Sequence, residues 1–314
     1  MTVDPSFQVY ASSNLYAPLQ FPPGIPPLYY YTNEAGFQGM LQSKSLWLSN
    51  IHDQNDTVEF DHAIELIQQV VREEYPGMRI PTFSGLGKTP IFTCSLSATK
   101  DLLSQWRGYC HNGGYCYSIQ QKQLQDMIRN RRLMLAKCIY SDAEKRAFIR
   151  TQMVGITPEH YKYIIEYDKS HPHNPDSHPI LTSHPMYPKY YRLIMRRIIN
   201  YAPILKHEAF AEEQEWRIAT VTLFDNVPNM GGIGPDRNFY FPYIPPFSTR
   251  NYGDRTIDYT VMPLTYEPEE KVLLSEVIIS PTKDKETAKA HCEKLMQKHG
   301  DVVVTNSTIP YRNW

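Results

Sequence analysis

Apolar positions in the first third of the chain switch between two periods. Leu28-Tyr29-Tyr30-Tyr31-Thr32 is a short aromatic run of strand type. Asn33 offers an N-cap, and Phe37, Met40 and Leu41 then recur at helical spacing, which predicts a helix over Glu34–Ser43. Ser45–Ser49 reads as a second strand. After the polar loop Asn50–Asp56, residues Phe60, Ile64, Ile67 and Val71 mark one face of a helix over Val58–Glu74. The pattern next predicts a strand at Pro90–Ser97, a short helix at Asp101–Tyr109 and a Gly113-Gly114 turn into a strand at Tyr115–Ile119. A helix at Gln121–Arg129 and a strand at Leu135–Tyr140 follow. Strands at Glu213–Thr222 and Val272–Ser280 and a closing helix at Lys283–His299 complete the reading.

These elements do not alternate in regular βαβ units, so the chain reads as α+β. Residues 1–26 form a Pro-rich arm. The composition shifts near residue 147, and residues 147–200, rich in His, Pro and Tyr, read as a helical and loop insertion within one domain built from 27–146 and 201–300. Residues 301–314 read as a tail.

Composition narrows the classes. With 32 Lys+Arg against 33 Asp+Glu, the net charge of −1 disfavours a nucleic-acid partner held by a globally basic face. Five cysteines without a CxxC pair make neither a disulfide framework nor a four-cysteine zinc site. No apolar run approaches the ~18–20 residues of a membrane helix, and Met1–Gln20 lacks the n- and h-regions of a Sec signal. The expectation is a soluble protein without a membrane partner, in a reducing compartment, with export by a route other than Sec left open.

Four motifs bear on chemistry. Gly85-Leu86-Gly87-Lys88-Thr89 looks like the end of a phosphate loop, but the place of the first glycine holds Thr82 and Pro90 opens a strand where that motif needs a helix. His171, His173, Asp176, His178 and His184 have metal-ligand residue types, yet three of the four histidines precede prolines in a loop-like segment. In Glu213-Gln214-Glu215-Trp216-Arg217-Ile218, strand alternation puts Glu213, Glu215 and Arg217 on one face and Trp216 and Ile218 on the other. That charged face is either a cleft that uses two carboxylates or a solvated face neutralised by Arg217. Ser95-Leu96-Ser97 puts two hydroxyls on one strand face without a GxSxG elbow, which argues against a serine hydrolase.

Taken together, several segments resemble the bacterial DUF2971 family. They are Tyr29-Tyr30-Tyr31-Thr32, Leu46-Trp47-Leu48-Ser49, Asn55-Asp56 with Glu59, Ser95-Leu96-Ser97 leading to Gln105-Trp106, Phe210 with Glu213–Arg217, and Glu276–Pro281. That family in turn looks like a divergent branch of the ADP-ribosyltransferase superfamily. The resemblance implies a split β-sheet core with peripheral helices, and NAD as ADP-ribose donor. It implies Glu215 as catalytic glutamate and Glu213 as the acceptor-side carboxylate, the Glu-x-Glu spacing pointing to arginine on a protein substrate. Tyr30 stands where the superfamily carries Arg or His, with Thr32 on the same face, and Ser95 and Ser97 stand for the motif that supports nicotinamide. Tyr30, Tyr31, Tyr109 and Trp106 are candidates to stack on nicotinamide or close the pocket, and Arg107 or Arg217 to replace the cation missing at Tyr30. The resemblance also implies the bacterial cytoplasm, or translocation into a host cell without a Sec signal.

On this reading the chain is a mono-ADP-ribosyltransferase of effector or toxin type. Cleavage of the ribose–nicotinamide bond passes through an oxocarbenium-like state, which a carboxylate on the ribose stabilises selectively. The alternatives are an NAD glycohydrolase using the same residues, and a non-catalytic binding module that keeps the fold.

Overall fold

A computed structural model describes residues 24–54, 57–74, 90–131, 133–153, 166, 199–220 and 246–310. The alternating segments form strands β1 (Tyr29–Thr32), β2 (Ser45–Asn50), β3 (Phe92–Ser97), β4 (Tyr115–Ile119), β5 (Leu133–Lys137), β6 (Glu215–Thr220), β7 (Ser248–Tyr252), β8 (Arg255–Pro263), β9 (Leu274–Ile279) and β10 (Val303–Asn306). The helices are α1 (Glu34–Ser43), α2 (Thr57–Glu74), α3 (Leu103–Tyr109), α4 (Gln121–Asn130), α5 (Asp142–Met153) and α6 (Lys285–Met296). This is an α+β arrangement, as expected. Asn33 caps α1 by accepting a 2.8 Å hydrogen bond from the Gly36 amide, and Phe37, Met40 and Leu41 are buried.

All ten strands join one sheet, antiparallel except for β9 and β10. β3 is its branch point. One edge of β3 pairs with β6 from Thr93 to Ser97. The other edge is shared: β2 takes Phe92 and Thr93, while β1 meets only Ser97. Two arms therefore leave the same edge and diverge around the middle of β3. One arm is β1-β4-β9-β10 and the other β2-β8-β7. Their divergence splits the sheet at the level of Ser95.

One sheet face is largely apolar. Phe92, Cys94 and Leu96 of β3 join Leu46, Leu48, Tyr117, Leu135, Trp216, Ile218 and Val277 beneath α1, α4 and α6. The opposite face carries two separate apolar clusters. One gathers α2 and α5 over β5, and the other packs α3 against Tyr29, Tyr31 and Cys116. The polar residues of β3 and β6 lie between them. Gly114 closes the β1–β4 junction, since a Cβ there would sit 2.2 Å from the Thr32 carbonyl oxygen.

The chain departs from the sequence reading in three places. The expected boundary at 147 falls inside α5, whose Phe148 and Ile149 are buried against α2. The expected tail supplies the parallel edge strand β10. The hairpin of β7 and β8, turning at Gly253-Asp254, lies where the sequence reading places no strand. The phosphate-loop-like segment 85–89 and the histidine group 171–184 lie outside the described residues, as does most of the proposed insertion.

Candidate functional site

Strand β6 begins at Glu215, not at Glu213. Residues Glu208–Glu213 form a 3-10 turn, and Gln214 bends the chain with φ +43° into the strand. The expected alternation therefore holds for Glu215 and Arg217 alone. The bend nonetheless returns Glu213 to the same neighbourhood through Lys206. The Lys206 ammonium contacts Oε2 of Glu213 at 2.5 Å and also bonds Oε2 of Glu215. Lys206 is held there by its backbone amide, which donates to the Ile139 carbonyl at 2.9 Å.

Glu215 is the centre of the cluster and only 3% exposed. Its Oε1 accepts from Ser95 Oγ at 2.5 Å and from Arg217 Nε at 2.7 Å. Its amide donates to the Tyr140 hydroxyl at 2.8 Å. Arg217 is equally buried, donates to the Pro203 carbonyl at 2.5 Å and lies 3.6 Å from Glu59 Oε2. Buried ions survive only when paired and hydrogen-bonded. Among the described residues, three carboxylates (Glu59, Glu213, Glu215) meet two cations (Lys206, Arg217) here.

Burial works against the Glu215 charge, but Arg217 and Lys206 outweigh it and hold the carboxyl down at about 2. It is ionised at neutral pH. The same carboxylates raise Lys206 above the ordinary lysine range against the opposing effect of burial. Tyr109, at the end of α3, is 48% exposed, and burial followed by Glu213 and Glu215 raises its phenol. An anionic carboxylate with a hydroxyl on one side and an exposed phenol nearby can stabilise positive charge on a substrate. It is a poor proton donor or acceptor at neutral pH.

The sequence-predicted residues divide sharply. Ser95 and Glu215 are brought together, with Glu213 one lysine away. Ser97 is buried and donates to the Glu213 carbonyl at 2.7 Å, so its hydroxyl ties the turn to β3. Register places Tyr29 on the Ser97 face, which puts Tyr30 and Thr32 on the opposite face of β1. There the Tyr30 ring lies 5.6 Å from Tyr117. Tyr31 and Trp106 are core residues and not stacking platforms: their rings meet edge to face at 4.9 Å. The Tyr31 hydroxyl donates to the Thr99 carbonyl, and Trp106 Nε1 donates to Asp101. Arg107 sits on the exposed side of α3. Arg217 is consumed by its carboxylates, so it does not replace a cation at Tyr30.

Lys206 is the member that sequence reasoning missed. It lies outside any periodic element, and the pairing of Ile204–Lys206 with Ile139 carries it to β6. All five cysteines are free and buried, and burial raises the thiols of Cys94, Cys110, Cys116 and Cys292 to about 12, which marks them as packing residues. Among the described residues, no group of three His, Cys, Asp or Glu is gathered as a metal would need, and no helix is long and apolar enough to cross a membrane.

Residues 105–218 match the family described as Protein of unknown function (DUF2971). The matched stretch runs from α3 to β6 and contains Lys206, Glu213, Glu215 and Arg217. It supports the family resemblance and omits β1 to β3, where Tyr30, Ser95 and Ser97 stand. No curated protein and no solved structure matches the chain.

Proposed function

We propose that the chain is an NAD-dependent mono-ADP-ribosyltransferase in which Glu215 is the catalytic carboxylate and Ser95 holds it. The observation that carries this reading is the Ser95–Glu215 hydrogen bond at the level where β1 and β2 diverge from β3. A carboxylate kept ionised by Arg217 and Lys206 suits the oxocarbenium-like ribose of nicotinamide departure, where positive charge develops without a proton transfer. Arginine on a protein is the acceptor that the Glu213-x-Glu215 spacing favours.

One contact favours a second reading with the same donor chemistry. Lys206 already bridges Glu213 and Glu215, so an acceptor guanidinium must displace an internal cation to reach them. Water needs no such exchange, which supports an NAD glycohydrolase.

Labelled NAD incubated with the protein and a cell lysate separates the readings. A labelled protein band, lost in Glu215→Gln, supports the transferase, and lability to hydroxylamine supports arginine. Nicotinamide release without a band supports the glycohydrolase. Release unaltered in a folded Glu215→Gln protein removes Glu215 from both, whereas loss of one charge-assisted contact should slow release about 10²–10³-fold.

A further inference from the structure

The arm β2-β8-β7 carries an exposed group that none of the preceding chemistry uses. Trp47 of β2 is 40% exposed and stacks on Tyr259 of β8 with centroids 4.5 Å apart and planes 25° apart. The Arg250 guanidinium of β7 lies 5.0 Å from the Trp47 ring and 5.8 Å from the Tyr259 ring. These three separations form a nearly equilateral triangle, so Arg250 stands beside the stack. The Trp47 face remote from Tyr259 is covered by neither.

Among the described residues Arg250 meets no carboxylate, its one hydrogen bond is a 3.4 Å contact to Ser49 Oγ, and its buried Nε has no acceptor. A guanidinium held among rings, with an unmet donor and no carboxylate, is arranged for an anion from outside. Register fixes where that anion would lie. Ser49 pairs with Thr93 and β2 runs antiparallel to β3, so Trp47 falls at the level of Ser95, on the same sheet face. The arms have separated there.

We infer that Trp47, Tyr259 and Arg250 form a nucleotide site: a heteroaromatic base lies on the open face of Trp47, and Arg250 takes a phosphate. The site opens toward Ser95 and Glu215. Only its assignment to the donor's nucleotide portion rests on the proposed function; the site itself stands on its own geometry. Base stacking and charge-assisted phosphate contact are the two interactions that such a triad supplies.

The test is a titration of the whole protein with ADP-ribose, AMP, adenosine and ribose 5-phosphate, followed by tryptophan emission. ADP-ribose and AMP should bind and quench emission. Adenosine, lacking phosphate, and ribose 5-phosphate, lacking the base, should bind at least tenfold more weakly. Arg250→Gln should weaken AMP at least tenfold, with Arg250→Lys intermediate, and Trp47→Phe should abolish most of the quench while leaving measurable binding by calorimetry. Nucleotide affinity unchanged in folded Trp47→Ala and Arg250→Gln proteins would overturn the site, as would binding of an oligonucleotide without binding of AMP. The outcomes also separate the two proposals. AMP binding that depends on Arg250, without any NAD cleavage, removes the transferase and keeps the site. Cleavage lost in Glu215→Gln with KM unaltered in Arg250→Gln does the reverse.

Discussion

The Ser95 hydroxyl bonds the Glu215 carboxylate diagonally across two strands. In register Ser95 faces Arg217 and Ser97 faces Glu215, yet the 2.5 Å contact runs from Ser95 Oγ to Glu215 Oε1. The carboxylate is drawn toward the middle of β3 by a serine on one side and Arg217 Nε on the other. A hydrogen bond to a charged group is worth about 1.5–3 kcal/mol. Ser95→Ala should therefore lower the unfolding free energy by about that amount, measured by urea denaturation. In the proposed reaction it should also slow nicotinamide release without a matching rise in KM, because the substrate-binding surface stays intact.

Glu215 and Arg217 form a pair of which neither member tolerates isolation. Both are 3% exposed. Removing one partner of a buried ion pair typically costs about 3–5 kcal/mol, since the other charge is left without compensation. Arg217→Met should be destabilising by about that amount. The double variant Glu215→Gln with Arg217→Met should recover a large part of the loss, leaving Lys206 with Glu213. Thermal melting of the two single variants and the double variant as a double-mutant cycle checks this. Additive losses would show that the two side chains are not coupled.

Much of the framework was legible because it rests on local pattern. Tyr115–Ile119 is a strand at the expected bounds, and Asn33 caps the expected helix. The pairing of Ser95 with Glu215 was only half legible, since alternation names the residues on a face but not the strand opposite. Glu213 was misplaced because a 3-10 turn and a left-handed Gln214 interrupt a run that reads as continuous strand. The Trp47–Tyr259–Arg250 group was out of reach for a different reason. Its members lie on three strands, and two of those form the overlooked hairpin, although the Gly253-Asp254 turn between alternating runs was a usable signal. Strand β10 reads as a tail in sequence because a parallel edge partner leaves no turn signature between it and β9.

Gly114 sets the spacing between the end of β1 and the start of β4. A Cβ at this position would lie 2.2 Å from the Thr32 carbonyl and 2.9 Å from the Asn33 Cα, both backbone atoms. Neither can rotate away, so Gly114→Ala must push β1 from β4. Overpacking of a rigid contact costs about 1–3 kcal/mol or more. The expected outcome is a lower melting temperature with early loss of the Tyr31–Trp106 contact, read by near-ultraviolet circular dichroism. A wild-type melting curve for Gly114→Ala would show that the junction yields freely.

Acid should unfold the protein through Glu215. Its folded carboxyl sits at about 2 against an ordinary value of 4.5. A folded-state pKa depressed in this way contributes stability that is fully present above pH 4.5. The contribution declines as pH falls through the interval between 4.5 and 2, because the unfolded chain binds the proton more readily than the native one. Asp101 reinforces the effect. Burial acts to raise it, but hydrogen bonds from Ser307, Thr308 and Trp106 outweigh burial and lower it. Urea midpoints measured from pH 7 to pH 2.5 should fall most steeply below pH 4.5. In Glu215→Gln the whole curve should be lower, and its acid slope shallower. An equally steep acid slope in Glu215→Gln would assign the acid sensitivity to other carboxylates and remove Glu215 as its main source.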